Sequence, residues 1–133
     1  MKILFICRGN VGRSQVATEL YNQKHPNQAS SAGTIVDVPG QKLSERSGAT
    51  NAIIVMKELS IDMSDNITTQ LTQNMLDNYD KVVVMAEPEN IPEYLSKSSK
   101  FEYWDVLDMR GQDLSITRKL RDQIKELIVQ RLD

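Results

Sequence analysis

The fold is decided by the stretch that runs from Lys2 to Ser14, KILFICRGNVGRS. Residues 2–7 are apolar after Lys2 and are followed by a glycine-containing turn, a pattern that predicts a short buried strand. From Ser14 to about Lys24, apolar side chains recur at helical spacing, namely Val16, Ala17, Leu20 and Tyr21. Ser14 is also a candidate N-cap for this helix. The stretch therefore predicts a strand, a tight loop and a helix in immediate succession.

Strands and helices alternate along the rest of the chain. Further strands are expected at residues 29–32, 81–85 and 101–104, and helices at 43–59, 69–79, 87–97 and 116–132, with an irregular loop at 105–115. This order is typical of an α/β domain in which helices cover both faces of a parallel sheet. The sequence therefore predicts one three-layer domain, residues 1–133, built on a four-stranded parallel sheet.

The composition is that of a globular protein, with 40% hydrophobic and 26% charged residues. The formal net charge of -2 gives no basic excess, so neither nucleic acid nor a membrane surface is expected as a partner. The one cysteine, Cys7, can form neither an internal disulfide nor a zinc cluster, and no metal or organic cofactor is expected. The apolar run before Arg8 is too short for a signal peptide, and no stretch approaches the ~20 apolar residues of a membrane span. We therefore expect a cytoplasmic protein.

The loop between the first strand and the first helix is a candidate anion site. In an open α/β sheet, ligands bind at the carboxyl ends of the strands, beside helix N-termini. The glycines at positions 9 and 12 permit a positive φ, and the asparagine at position 10 tolerates one. Successive backbone N–H groups can then converge on one anion. The candidate substrate-binding residues are Arg8, Gly9, Asn10, Val11, Gly12 and Ser14.

One interpretation of this loop is a nucleotide-binding P-loop, whose pattern is G-x-x-x-x-G-K-[ST]. Cys7 would then stand at the first glycine and Arg13 at the lysine, and both replacements argue against this interpretation. The strand at 81–85 also lacks, at its end, the acidic residue expected to help hold magnesium.

The other interpretation takes Cys7 and Arg13 as catalytic residues. A thiolate at Cys7, inside a ring of N–H donors and beside a helix N-terminus, would be nucleophilic near neutral pH. The planar guanidinium of Arg13 can bind two phosphate oxygens, and the Ser14 hydroxyl can donate a hydrogen bond to the thiolate. This C-x-x-x-x-x-R-[ST] pattern is typical of phosphatases that work through a phosphocysteine. The alternative, a buried inert cysteine, is disfavoured by the neighbours in register, Gly9, Asn10, Arg13 and Ser14.

With this loop, the sequence resembles the low-molecular-weight protein tyrosine phosphatases and their thioredoxin-coupled arsenate reductase relatives. The resemblance covers nearly the whole chain, and includes Ser31-Ala32-Gly33-Thr34, Leu59-Ser60-Ile61-Asp62, the strand at 82–85 and the acidic loop after Trp104. It implies the family's fold and its cysteine-dependent activity. It also implies that Asn10 and Ser31 hydrogen-bond each other and, with Ser14, support the loop; ordinary turn and strand chemistry is the alternative for Asn10 and Ser31.

The resemblance further implies a proton donor for the leaving oxygen. In the family this is an aspartate in a late loop, normally followed by a proline. Matching Trp104 and Gly111 to that loop puts Asp108 at the acid position, with Met109 in place of the proline. Asp105 is the alternative acid. Because the proline is missing, we expect a loop with fewer restraints and a less well positioned acid.

Three departures from the family pattern bear on function. Position 12, a second cysteine in many tyrosine-specific members, is glycine here, so an internal disulfide cannot protect Cys7. The arsenate reductases need two further cysteines, which this chain lacks. Met109 and Arg110 replace the aromatic residues that flank phosphotyrosine, and residues 35–40 contain no aromatic side chain. Met109 can still pack against a substrate ring, but the slot is less tailored to one.

The sequence therefore predicts a cysteine-dependent protein tyrosine phosphatase of the low-molecular-weight type, which hydrolyses phosphomonoesters of phosphoprotein. Phosphotyrosine is the first choice because Val11 has the shape of the threonine found in phosphoarginine phosphatases of this group but lacks its hydroxyl. Phosphate or other oxyanions are expected to bind in the same site. The alternatives are an arsenate-reductase-like protein that uses an external thiol, and a phosphate- or phosphopeptide-binding module with poor turnover.

Overall fold

Four parallel strands form the centre of the protein, which a computed structural model describes over all 133 residues. The strands are β1 (Ile3–Cys7), β2 (Ala29–Gly33), β3 (Lys81–Val84) and β4 (Phe101–Tyr103), in the order β2-β1-β3-β4. Every neighbouring pair is parallel. All five residues of β1 are buried, as expected for a central strand that is covered on both faces. The predicted four-stranded parallel sheet is confirmed.

Helices cover both faces of the sheet. On one face, α1 (Arg13–Lys24), α2 (Thr50–Lys57) and α4 (Leu114–Arg131) pack around an apolar cluster that includes Ile3, Phe5 and Cys7. On the other face, a 3₁₀ helix (Gln73–Asn78) and α3 (Glu93–Ser96) pack against Leu4 and Ile6. Because side chains alternate along a strand, Cys7 points to the face that carries α1. No helix has both the length and the apolar character needed to cross a membrane.

The helix predicted at residues 69–79 is wrong in its first part. The Gly33 backbone N–H donates to the Thr69 carbonyl at 2.9 Å, and the Leu71 N–H donates to the Gly33 carbonyl at 2.8 Å. These hydrogen bonds hold the segment extended beside the end of β2, and helical structure begins only at Gln73. The pairing brings Thr69 to the loop after β1.

Two other predicted helices are interrupted by local chemistry. The stretch 43–59 contains two 3₁₀ turns, Leu43–Glu45 and Ser47–Ala49, before α2 begins, because glycine at position 48 is a poor helix former. The stretch 87–97 is divided at Ile91, whose backbone is extended because Pro92 follows it.

Gly33, the last residue of β2, is where the sheet approaches the loop after β1 most closely. A Cβ at this position would lie 2.6 Å from the backbone oxygen of Arg8 and 2.9 Å from the backbone nitrogen of Asn10. Only glycine therefore lets β2 reach this loop without displacing it. The close approach fixes the loop against the carboxyl edge of the sheet, where an α/β fold places its ligands.

Candidate active site

Cys7, the candidate nucleophile, is the last residue of β1 and is 2% exposed. Its Sγ lies 3.0 Å from Ser14 Oγ and accepts a hydrogen bond from the Asn10 backbone N–H at 3.3 Å. Both groups can stabilise negative charge on the sulfur. The prediction that Ser14 caps α1 is wrong: the helix begins at Arg13, so Ser14 lies in the first turn with its hydroxyl at the sulfur.

The loop backbone bends at Asn10, which has a φ of 59°. Gly9 and Gly12, which permit a positive φ, do not adopt one here, and Gly12 has a φ of -128°. Gly12 leaves room for a neighbouring side chain instead. A Cβ there would lie 3.3 Å from the Cβ of Met109, which packs against it.

The backbone N–H groups of the loop and of the first turn of α1 have almost no partners within the protein. Asn10 donates to the Cys7 sulfur, whereas no other backbone N–H group from residue 8 to residue 15 donates a hydrogen bond within the protein. Unpaired N–H groups at a helix N-terminus attract anions. These donors are therefore available to an oxyanion bound beside the sulfur.

The side chain of Asn10, which is fully buried, ties the loop to its surroundings. Its Nδ2 donates to Ser14 Oγ at 2.7 Å and to Ser31 Oγ at 2.9 Å, so the structure contains the Asn10–Ser31 hydrogen bond expected from the sequence. Its Oδ1 accepts from the Thr69 backbone N–H at 2.8 Å. Buried Gln15 donates through Nε2 to the Asn10 carbonyl at 3.1 Å. The loop is thus held from α1, β2 and the segment at 69.

Arg13 is 2% exposed, and its guanidinium is held on two sides. Nη1 donates to the backbone carbonyls of Met85 and Val106. The end of the guanidinium that carries Nη1 and Nη2 faces Glu87, with Nη1 2.9 Å from Oε2 and Nη2 3.3 Å from Oε1. On the remaining edge, formed by Nε and Nη2, the Nε is buried without any hydrogen-bond partner. That edge can bind two oxygens of a phosphoryl group.

The Arg13–Glu87 pair changes the pKa of both groups. Burial lowers the pKa of Arg13, but the hydrogen bond to Glu87 and the charges of Cys7 and Asp108 outweigh it and raise that pKa above its ordinary value. The pKa of Glu87 is lowered, chiefly by the hydrogen bond from Arg13. Both side chains are therefore charged at neutral pH, and Arg13 stays cationic in spite of its burial.

Asp108, the predicted acid, lies beside this arginine. Its Oδ2 is 3.9 Å from Arg13 Nη2, and its side chain is 45% exposed. Asp105, the alternative, is exposed, and its hydrogen bond uses the backbone carbonyl, which accepts from Gln123. The structure therefore brings Asp108, and not Asp105, next to Arg13.

The loop that carries Asp108 is anchored on both sides although the family's proline is missing. Before the aspartate, the buried Val106 offers its carbonyl to Arg13 Nη1 at 3.0 Å. After it, Met109 is 3% exposed and packs against Gly12. The side chain of Met109 is thus buried in the protein, which leaves little of its surface for contact with a substrate ring.

The remaining loop residues face different surroundings. Val11 is partly buried and packs against the main apolar cluster. Arg8 is half-buried, and its carbonyl accepts from the Ile35 backbone N–H at 2.9 Å. Ile35 and Arg110 are exposed. The exposed side chains of these residues are thus arginine and aliphatic, and residues 35–40 contain no aromatic residue.

Comparison with known proteins defines the family. The model of the low molecular weight phosphotyrosine protein phosphatase family matches residues 2–132, and the chain belongs to this family. Arsenate reductase 2 from Staphylococcus epidermidis is 34% identical over 128 residues, which are 95% of this chain and 92% of the relative.

Solved structures of relatives have the same fold. The low molecular weight protein tyrosine phosphatase from T. tengcongensis is 28% identical, with a TM-score of 0.79 over 97% of this chain and 95% of that one. The arginine phosphatase YwlE from Geobacillus stearothermophilus is 26% identical, with a TM-score of 0.76 over 96% of this chain and 88% of that one. The family thus includes both phosphatases and arsenate reductases.

Three residues of the site were not anticipated from the sequence. Gln15 looked like an ordinary helix residue, and Thr69 fell inside a predicted helix. Glu87 had a usable signal: it follows β3, the neighbour of β1, and the carboxyl ends of neighbouring parallel strands meet at one edge of the sheet. A charged side chain at that place is a candidate partner for Arg13.

Proposed function

We propose that the protein is a phosphomonoesterase that dephosphorylates phosphoprotein through a phosphocysteine at Cys7. The observation that carries the proposal is the arrangement around the sulfur. A buried thiol lies beside N–H groups without partners and near an arginine that has one edge of its guanidinium unpaired. Such donors suit a tetrahedral oxyanion held within reach of a nucleophile. Membership of the phosphatase family supports the same function.

The first proposed step transfers the phosphoryl group to sulfur. Two phosphoryl oxygens bind the Nε and Nη2 of Arg13, and the third binds backbone N–H groups of the loop. The Cys7 thiolate attacks phosphorus, so that an S–P bond forms as the P–O ester bond breaks. Asp108 gives its proton to the leaving oxygen.

The second proposed step releases phosphate. Asp108, now a carboxylate, takes a proton from water as the water oxygen attacks phosphorus. The S–P bond breaks, and the departing thiolate is stabilised by the Ser14 hydroxyl and the Asn10 N–H, which lie 3.0 and 3.3 Å from Sγ. Every proton and electron pair in this cycle moves between the chain, the substrate and water. We therefore expect activity to survive EDTA.

Phosphotyrosine is the proposed substrate. Because the sulfur is buried, a long side chain reaches it more easily than phosphoserine, which would bring the peptide backbone against the loop. Val11 packs against the core and has no hydroxyl to offer a polar substrate. A thiol that must remain reduced also suits a cytoplasmic location.

A second candidate function is arsenate reduction with an external thiol. It is favoured by the 34% identity to arsenate reductase 2 from Staphylococcus epidermidis. Arsenate is a tetrahedral oxyanion and would bind in the same loop as phosphate. Because Cys7 is the only cysteine, the relay of thiols that completes the reduction must include thiols from outside the chain.

A comparison of rates separates these candidates. Wild type and Cys7→Ser are assayed on para-nitrophenyl phosphate and on peptides that carry phosphotyrosine, phosphoarginine or phosphoserine, with EDTA present. We expect hydrolysis that Cys7→Ser abolishes, with the highest kcat/KM on phosphotyrosine. Arsenate reduction with added glutathione or thioredoxin, in the absence of phosphatase activity, would favour the second candidate. Phosphate binding without either activity would leave only a binding module.

A further inference from the structure

The carboxylate of Glu87 already accepts hydrogen bonds from part of the Arg13 guanidinium, the group that is proposed to bind the oxyanion. Glu87 accepts two hydrogen bonds from Arg13, at 2.9 and 3.3 Å, across the end of the guanidinium. The side chain of Arg13 is 1% exposed, whereas that of Glu87 is 37% exposed. The pair therefore has its cation inside the site and its anion at the rim.

Glu87 and the oxyanion would use different edges of the same guanidinium. Glu87 lies across Nη1 and Nη2, whereas the Nε beside Nη2 is buried and has no partner. A bound anion on the Nε edge is thus compatible with the ion pair. Both negative groups would then share a single positive charge, a few ångströms apart.

The orientation of Arg13 does not depend on Glu87 alone. Nη1 also donates to the carbonyls of Met85 and Val106, and these come from β3's end and the loop that holds Asp108. The contribution that only Glu87 makes is therefore its charge. This charge cancels that of Arg13 before any anion arrives.

Few other charges can compensate for it. The charged or titratable groups around the pair are Cys7, Arg8, Tyr103 and Asp108, and Glu89 and Asp105 lie beside Tyr103. Arg8 is the one further cation among them. A singly charged oxyanion meets a site whose backbone N–H groups carry only partial charges, and a second charge on the anion is opposed by Glu87.

We propose that Glu87 is a specificity-determining residue whose charge weakens the binding of doubly charged oxyanions more than that of singly charged ones. This rests on the proposed function, because it requires an oxyanion beside Cys7. It assigns to Glu87 a role that a residue merely supporting Arg13 would not have. Loss of support for Arg13 would weaken the binding of every anion alike, whereas loss of the charge of Glu87 would strengthen the binding of a dianion most.

Anion binding tests the proposal without catalysis. In the Cys7→Ser background, which removes the charge of the thiolate, calorimetry gives the Kd of phosphate and of sulfate at about pH 5.5 and about pH 8. Sulfate is doubly charged at both values, and phosphate is mostly singly charged only at the lower one. The Kd of sulfate therefore reports how pH changes the protein itself. The ratio of the sulfate Kd to the phosphate Kd then measures the effect of the charge of the anion.

At the lower pH, phosphate should bind more tightly than sulfate. Glu87→Gln should tighten sulfate binding and lower the ratio of the sulfate Kd to the phosphate Kd, here called the gap, by about tenfold. This is the size expected for one charge pair several ångströms apart in a half-exposed site. Glu87→Asp, which keeps the charge, should preserve the gap. Glu89→Gln, which removes the same charge from an exposed side chain without contact to Arg13, should preserve it too.

An unchanged gap in Glu87→Gln, or an equal weakening of both anions, would overturn the proposal. Circular dichroism and the Tm of each variant show that it is folded. Failure of the proposed function gives a different result, since neither anion would then bind and the wild type would not hydrolyse aryl phosphate. Anion binding with an unchanged gap refutes the role of Glu87 alone.

Discussion

Replacing Gly33 with alanine tests how closely β2 must approach the anion loop. The new Cβ would lie 2.6 Å from the Arg8 carbonyl oxygen, 2.8 Å from Cγ2 of Val36 and 2.9 Å from the Asn10 backbone nitrogen. Two of these atoms belong to the backbone and cannot rotate away, so the loop must move. Overpacking of this kind costs about 1–3 kcal/mol of stability. A displacement of about 1 Å at catalytic groups lowers the rate by about 10²-fold.

We therefore expect Gly33→Ala to lower the free energy of unfolding by about 2 kcal/mol and kcat/KM by about tenfold to a hundredfold. Urea unfolding followed by the fluorescence of Trp104 measures the first, and hydrolysis of para-nitrophenyl phosphate the second. Gly40→Ala is the matched control, because Gly40 has a φ of 80° but no atom within 4 Å of the new Cβ. It should lose stability but keep its kcat/KM. Gly33→Ala with wild-type kcat/KM would refute the idea that β2 positions the loop.

Three further substitutions, the first with a control, test separate parts of the structure. Asp108→Asn should lower kcat by about 10²–10⁴-fold through loss of the proton donor, whereas Asp105→Asn should stay near the wild-type rate. Arg13→Lys should weaken phosphate binding by about tenfold to a hundredfold in calorimetry, because lysine keeps the charge but loses the paired hydrogen bonds of the guanidinium. Glu58→Gln should lower the Tm at neutral pH, because Glu58 pairs with Arg118 and Arg121 and so joins α2 to α4. The hydrogen bond from Arg118, followed by that from Arg121, lowers the pKa of Glu58 from 4.5 to about 2. The stabilisation by the Glu58 ion pairs is therefore fully present above pH 4.5. The difference in Tm between wild type and Glu58→Gln should disappear as the pH falls through about 2. Equal Tm values at neutral pH would contradict the role of Glu58.

The parallel sheet could be predicted because its strands carry their own signal. β1 and β3 are short apolar runs that end in turns, and the alternation with helices fixes the class of fold. Residues 69–72 show the limit of this approach. The spacing of Leu71 from Met75 and Leu76 is helical, but hydrogen bonds to Gly33 hold residues 69–72 extended. No local pattern reveals a partner so distant in sequence.

The residues of the site likewise fall into those that the sequence could predict and those that it could not. Cys7, Arg13 and Asn10 lie within one loop, so their spacing alone indicated their proximity. Asp108 needed the resemblance to a family, because only that alignment of the late loop distinguishes it from Asp105. Glu87 contacts Arg13 across 74 residues of sequence, and such a contact is visible only once the carboxyl ends of β1 and β3 are brought together.

Whether Cys7 carries the phosphoryl group during turnover decides between catalysis and simple anion binding. The wild type and Cys7→Ser are quenched during hydrolysis of para-nitrophenyl phosphate, digested, and analysed by mass spectrometry. A phosphoryl group on the peptide that contains Cys7, present in the wild type and absent from an inactive Cys7→Ser, is the result that a phosphocysteine mechanism predicts. Turnover by Cys7→Ser at the wild-type rate, or a phosphoryl group on a different residue, would contradict it.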